Sequence, residues 1–485
     1  MNIILKAFDD DMGKVFTENI TRGLSIGTCI SIGDAPKQFP DLAKNVEHIT
    51  MSARTLRAGQ YPGVQWSDIT PIDEELIEKM RPCEAMFLKM IGRYAPYGDV
   101  AYEERKRQYL LHLRYWNHML DAKKIDLYVQ RGVPHQCYDL VIWDLCKLKG
   151  IRTITAPHFF AVDAMSVGEN WEQAGIEAVE RFEELKKQYA NPDTSIPLSR
   201  EFEASFQMFA FKPQKPWYMK NVHPHLWNRT FIGKWMRPAL RVLFRKPLYL
   251  LRSVVSPDFW HRKWAHHQTR SMYDRWVTVP DLTVPYVYAP LQMQPEATTC
   301  PMAGAYVDQE LSIQLLAACL PKGVRIYVKE HPNQGEMWRS MEFYRSLHEI
   351  PSVTFVPRMF DSFTLTEHAV AIASSTGTAL FEGLFKCKPA MMFGHKYFQY
   401  APGVHRIRSR QDCERAVESI FIKKERHTLR EMRLFLKALE ETSCLTYKSP
   451  NNTVRGEETR PQRAKIMGEY IRAKILEKAY FLRQR

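Results

Sequence analysis

What this chain lacks narrows its class first. Its 485 residues include nine cysteines, at 29, 83, 137, 146, 300, 319, 387, 413 and 444, yet no Cys-x-x-Cys. That spacing excludes the common zinc and redox frameworks and leaves reduced, mostly buried thiols, so no structural metal is expected. No apolar run approaches the roughly 18 residues that a membrane-spanning helix requires. The opening Met1-Asn-Ile-Ile-Leu-Lys-Ala-Phe-Asp-Asp-Asp lacks the basic-then-apolar order of a signal peptide, and a cytoplasmic location is expected. Short repeats and low-complexity tracts are missing as well. Acidic residues nearly vanish from one stretch: residues 212–276 hold 14 Lys and Arg against only Asp258 and Asp274, a local net charge of +12 in a chain whose total is +14.

What is present is the composition of an ordinary globular protein, 45% hydrophobic and 25% charged. The length exceeds what a single core usually organises, so two domains are expected. Short β-type segments alternate with helical ones, as at Ile3–Phe8, Ile125–Val129 and Ile151–Thr155, with a crossover helix over Gln136–Leu148 and another over Val167–Gln188. The same grammar returns at Tyr286–Pro290, Val324–Lys329, Val353–Val356, Ala369–Ala373 and Ala390–Phe393. Two Rossmann-like halves facing a central cleft follow from this pattern. The expected division is 1–200, a basic connecting segment at 201–282 with six of the eleven tryptophans, 283–455, and a C-terminal helix at 456–485. In open parallel sheets ligands bind beyond the carboxyl ends of the strands, so the loops there are where chemistry is sought.

Three such loops stand out in the second half. Ser374, Ser375, Thr376, Gly377 and Thr378 join a strand to a helix, and small residues at a helix N-terminus let a phosphate approach unpaired backbone N–H groups. Glu382, one turn deeper, is placed to accept from ribose hydroxyls. The plainer alternative is a Ser/Thr cap beside a surface glutamate. Lys329, Glu330, His331 and Pro332 end another strand, where proline fixes the chain's exit and an imidazole can donate to a departing phosphate oxygen. Gln292, Gln294, Glu296, Thr298 and Thr299 crowd polar groups into the loop after Tyr286–Pro290, where burial is costly unless something is bonded to them.

In this order and spacing the three motifs resemble the capsule polysaccharide biosynthesis family of GT-B glycosyltransferases, whose relatives include bacterial β-Kdo transferases. The His-Pro and Ser-Ser pair is also similar to the CMP-binding motifs of bacterial sialyltransferases. The resemblance covers mainly residues 283–410 and is weak in the first half. It implies an α/β GT-B fold, a nucleotide-sugar donor such as CMP-Kdo held by Lys329, His331, Pro332 and the 374–378 loop with Glu382 on the ribose, and a capsule or lipopolysaccharide glycan as acceptor. It implies no cofactor.

On the first half, Val133-Pro-His-Gln-Cys-Tyr-Asp139 sets His135 and Asp139 at a strand-to-helix junction, where either could serve as base or nucleophile toward an acceptor hydroxyl, with Glu296 a further catalytic candidate. A capping carboxylate and a turn histidine are the plainer alternative. Asp9-Asp-Asp11 raises two rivals: a metal-binding Asp-x-Asp, and the nucleophilic Asp9/Asp11 pair of a HAD-type phosphatase. An acidic loop capping the next helix is the third reading, and metal-independent transfer is the expectation retained. The basic, tryptophan-rich segment suits an anionic membrane surface and a glycolipid acceptor at the inner face of the cytoplasmic membrane, and no nucleic-acid motif accompanies it. A non-catalytic, membrane-associated polysaccharide assembly protein is the alternative from a different class.

Overall fold

The computed structural model describes residues 1–35, 37, 39–94, 101–212, 257–332, 334, 339–447 and 458–482. Most of the basic connecting segment, with Trp217, Trp227 and Trp235, lies outside these residues. Strands buried on both faces, except at one edge of each sheet, build two parallel sheets, as expected where helices cover each face. The first contains β1 (Ile3–Lys6), β2 (Thr28–Ile32), β3 (Glu47–Met51), β4 (Leu127–Gln130) and β5 (Arg152–Thr155) in the order β3-β2-β1-β4-β5. A short β6 (Ala164–Met165) follows outside it. The second contains β7 (Tyr286–Pro290), β8 (Arg325–Lys329), β9 (Val353–Val356), β10 (Ala371–Ser374), β11 (Ala390–Met392) and β12 (Val404–Arg406) in the order β12-β11-β10-β7-β8-β9. Every neighbouring pair within the two sheets runs parallel.

Both orders are built alike. The chain enters at a middle strand, grows toward one edge, then returns past that first strand and grows toward the other. This is the Rossmann order, and it creates one switch point per sheet, between β1 and β4 and between β7 and β10. The fold is therefore α/β with two Rossmann-like domains, the GT-B class that the family resemblance implies.

One expectation needs correction. The helix read over Val167–Gln188 starts only at Glu177, because Gly168 still bridges Thr155, Asn170 caps a short 3₁₀ turn, and Gly175 takes a φ of +87°. Gly175 also lies so close to the Tyr397 carbonyl that a Cβ there would stand 2.0 Å from its oxygen. Helices Glu177–Gln188 and Arg200–Phe211 then pack on the second domain: Leu185, Phe202 and Phe206 share a core with Phe381, Phe385 and Phe435.

The chain finally crosses back. β13 (Cys444–Leu445) pairs antiparallel with β6, and helix Arg460–Leu482 lays Ala464, Met467, Ile471 and Ile475 against Ile3, Leu5, Phe16 and Ile20 of the first domain. Burying Met467, Ile471 and Ile475 contributes about 1.5–3 kcal/mol each. The contact is close because residue 468 is glycine: a Cβ there would lie 2.5 Å from the Phe16 carbonyl oxygen. On helix Pro257–Trp276, Trp260 and Trp264 are 56% and 60% exposed, whereas Trp276 stacks on His348 at 4.2 Å.

Candidate functional site

The loops leaving the carboxyl ends of β7 to β11 surround a cavity of about 610 Å³ at the second sheet's switch point, a size that suits a nucleotide-sized ligand. Gln292, Glu296 and Thr298 line it after β7, Lys329, His331 and Pro332 at the end of β8, and Thr376, Gly377, Thr378 and Glu382 after β10. The sequence motifs single out all ten. Arg358, Asp361 and Ser362 after β9 and Lys396 after β11 also line it, and no sequence motif marks them. Their signal was positional, since each follows a strand that the sequence does reveal.

Four of the second-domain candidates do not line the cavity. Ser374 donates to the Pro290 carbonyl at 3.1 Å and so ties β10 to β7. Ser375 is 2% exposed, and its carbonyl accepts from the Gly394 N–H. Gln294 exchanges two backbone bonds with the Gln334 side chain. Thr299 accepts from the Glu296 N–H and closes that turn. These groups shape the loops from behind.

Gln292 alters the expected phosphate cradle. With its amide oriented by the hydrogen-bond network, the side-chain oxygen accepts from the backbone N–H groups of Thr376, at 3.0 Å, and of Gly377, while the nitrogen donates to the Thr298 carbonyl at 3.2 Å. Two of the N–H groups expected to face a phosphate are thus already satisfied. Gln292 is itself clamped, its N–H donating to Gln309 and its carbonyl accepting from Arg339.

The charges around the cavity are held differently from one another. Glu330 is fully buried, pairs with Arg339 at 2.9 Å, accepts from Tyr344 and receives the His331 N–H, so it anchors the histidine. Burial, more than any neighbouring charge, lowers the His331 pKa. Lys329 donates to Ser362 at 2.6 Å. Arg358 pairs with Asp274 at 3.0 Å and covers the Tyr273 ring. Glu382 is pushed up to about 7 by burial, which the Thr378 hydroxyl only partly offsets. Lys396 is pushed down to about 8 by burial alone, and its ammonium lies 5.3 Å from the centre of the Phe160 ring.

On the first domain, the 133–139 loop leaves β4 at the other switch point. Asp139 is completely buried and pairs with Lys6 at 2.7 Å, while its oxygens accept the N–H groups of His135 and Gln136. Burial works to raise its pKa, but Lys6, His135 and those bonds outweigh it and hold the carboxyl below its usual range. This enclosure makes Asp139 a positioning group rather than one open to a sugar hydroxyl. It secures a turn in which Cys137 takes a φ of 68°, a conformation costly for a non-glycine residue.

His135 is only partly buried. Its Nδ1 lies 2.7 Å from the Val133 carbonyl. A carbonyl only accepts, so Nδ1 carries the proton and Nε2 is the basic nitrogen. Arg93 joins the halves, donating to the His135 carbonyl and pairing with Glu296 at 3.1 Å.

The Asp9–Asp11 cluster is tied up by other groups. Asp9 accepts from the N–H groups of Asp34 and Ala35, Asp10 pairs with Arg131 and accepts from Tyr447, and Asp11 pairs with Arg460 of the last helix. No cluster of His, Cys, Asp and Glu with metal-binding geometry occurs among the described residues, and none of their helices is long and apolar enough to cross a membrane.

The chain matches no protein-family model and no curated protein. Among solved structures it is similar to the UDP-GlcNAc 2-epimerase of Methanocaldococcus jannaschii, at 11% identity over 98% of this chain and 99% of that one, with a TM-score of 0.25. It is similar also to two β-Kdo transferases of Thermosulfurimonas dismutans. The 2,7 enzyme shares 10% identity over 79% of this chain and 95% of that one at a TM-score of 0.31. The 2,4 enzyme shares 13% over 70% and 87% at 0.29. At such scores the likeness bears on neither chemistry nor substrate.

Proposed function

We propose that this protein is a glycosyltransferase that takes a sugar from a nucleotide donor seated in the second-domain cavity. The observation that carries the reading is the cavity's place: it opens at the switch point of a parallel sheet, where such folds bind nucleotides, and brings Lys329 and His331 from the end of β8 to Glu382 of the helix after β10. Glu382 would accept from ribose hydroxyls, and His331 would donate to the phosphate.

In the transfer step the bond from the anomeric carbon to the phosphate oxygen breaks, its electron pair leaving with the phosphate. A bond from an acceptor hydroxyl oxygen to that carbon forms. The hydroxyl proton passes to a base, a role that suits His135 Nε2, with Asp139 and Lys6 fixing its loop and Arg93 linking it to Glu296. The energetic demand falls on stabilising the departing phosphate, which cations in a partly dry cavity meet without a resident metal. The acceptor would be a bacterial capsule or lipopolysaccharide glycan on a lipid, reached from the inner membrane face, and CMP-Kdo is one donor that the motifs suit.

A thermal-shift series with CMP, UDP and GDP tests the reading, because a ligand that binds only the folded state raises its melting temperature. One nucleotide should stand out. If none moves the transition at millimolar concentration, the donor-site reading fails.

A further inference from the structure

We infer that Lys396 is the residue that meets the donor's phosphate charge, an inference that rests on the nucleotide-donor reading above. The loop expected to do so is already engaged, since Gln292 occupies the N–H groups of Thr376 and Gly377. Of the cations on the wall, Arg358 is committed to Asp274 and Lys329 to the Ser362 hydroxyl. Lys396 differs. It lines the same cavity, and among the described residues its ammonium has neither a hydrogen-bond acceptor nor a carboxylate partner, only the face of Phe160. Nothing but lost hydration acts on its pKa.

An ammonium partly removed from water without a counter-charge is costly to the protein. The cost is offset when a ligand brings the anion, and a phosphate oxygen placed against the ammonium forms a charge-assisted hydrogen bond of the stronger kind. The lysine's position is also fixed from both domains. The Gly394 N–H donates to the Ser375 carbonyl, which ties the loop to the end of β10. His395 Nδ1 lies 3.0 Å from the Glu172 carbonyl, and Gln399 donates to that same oxygen, so first-domain residues hold the segment that carries Lys396. Phe160 comes from the stretch just after β5. The phosphate would therefore be gripped at the seam, next to the acceptor side, which is where the leaving group of a transfer reaction must lie.

Isothermal titration of wild-type protein, Lys396→Met and Lys396→Arg with CMP, UDP and GDP, and with cytidine, uridine and guanosine, tests the assignment. Methionine keeps the volume and removes the charge. The nucleotide preferred by wild type should bind Lys396→Met roughly 10- to 100-fold more weakly, the scale of a hydrogen bond to a charged group. Lys396→Arg should retain most of the affinity, and the parent nucleoside should bind Lys396→Met as it binds wild type. Equal nucleotide affinity in wild type and Lys396→Met overturns the assignment and leaves the donor site standing. An equal loss for nucleotide and nucleoside also overturns it, because the lysine would then only shape the cavity. Failure of wild type to bind any nucleotide would instead remove the donor reading itself.

Discussion

The Lys6 ammonium and the Asp139 carboxylate meet at 2.7 Å with 2% and 0% of their side chains exposed, joining the end of β1 to the start of the helix Tyr138–Lys149. Removing one partner of such a pair strands the other charge in a dry site. Lys6→Met should cost about 3–5 kcal/mol in urea unfolding, and adding Asp139→Asn should recover part of it. Two additive losses would show that the residues are not coupled.

Glu382 makes stability depend on pH with a sign opposite to that of an ordinary paired carboxylate. Its folded-state pKa of about 7 exceeds the usual 4.5. Between those values the folded state keeps a proton that the unfolded state has lost. Stability therefore declines as pH rises from about 4.5, and the full cost, on the order of 3 kcal/mol, is present above about 7. Melting curves of Glu382→Gln should match wild type near pH 4.5 and lie above it at pH 8. A carboxylate that binds ribose must be ionised, so from pH 6 to 8 wild-type nucleotide affinity should gain relative to that of Glu382→Gln, whose own change reports the other groups that titrate there, Lys396 among them.

His135 separates binding from chemistry. Burial lowers its pKa, which keeps the imidazole neutral and Nε2 available near neutral pH. His135→Ala should reduce the transfer rate by about 10²–10⁴ with nucleotide affinity unchanged. A parallel loss of both would move the residue from proton transfer to the donor site.

Much of this architecture is legible in the sequence because parallel strands are continuous apolar runs. Tyr286–Pro290 and Val353–Val356 have the observed bounds, and Val324–Lys329 begins one residue early. β2 is harder to see: its Thr28-Cys-Ile-Ser-Ile32 mixes polar and apolar residues, as does β3, none of whose residues is fully buried. The site divides along similar lines. His331, Thr378 and Glu382 belong to compact motifs whose chemistry follows from spacing. Lys396 is one lysine in a basic chain until folding dries its surroundings, and desolvation leaves no trace in local sequence. Nor does sequence reveal that the Gln292 amide, 84 residues before Thr376, fills the expected cradle.

The basic connecting segment carries a prediction of its own. Each cation near an anionic leaflet gains about 1 kcal/mol, and tryptophan favours the interface. The protein should co-sediment with anionic but not neutral vesicles, and less so as salt rises. Reversing the charge at Arg237, Arg241, Arg245 and Lys246, which lie outside the described residues, should release it; unchanged sedimentation would clear the segment of this role.

The seating of Gly468 against Phe16 also has a cost in time. The first sheet appears early in synthesis, yet the residues that cover its flank, from Ala464 to Ile475, emerge about 450 positions later. At typical elongation rates of about 5–20 residues per second, Phe16 waits roughly 20–90 s for its partner. Through that interval the part of the Ile3, Leu5 and Ile20 surface that the last helix covers stays open on the nascent chain, so the ribosome-bound first domain is expected to attract chaperones.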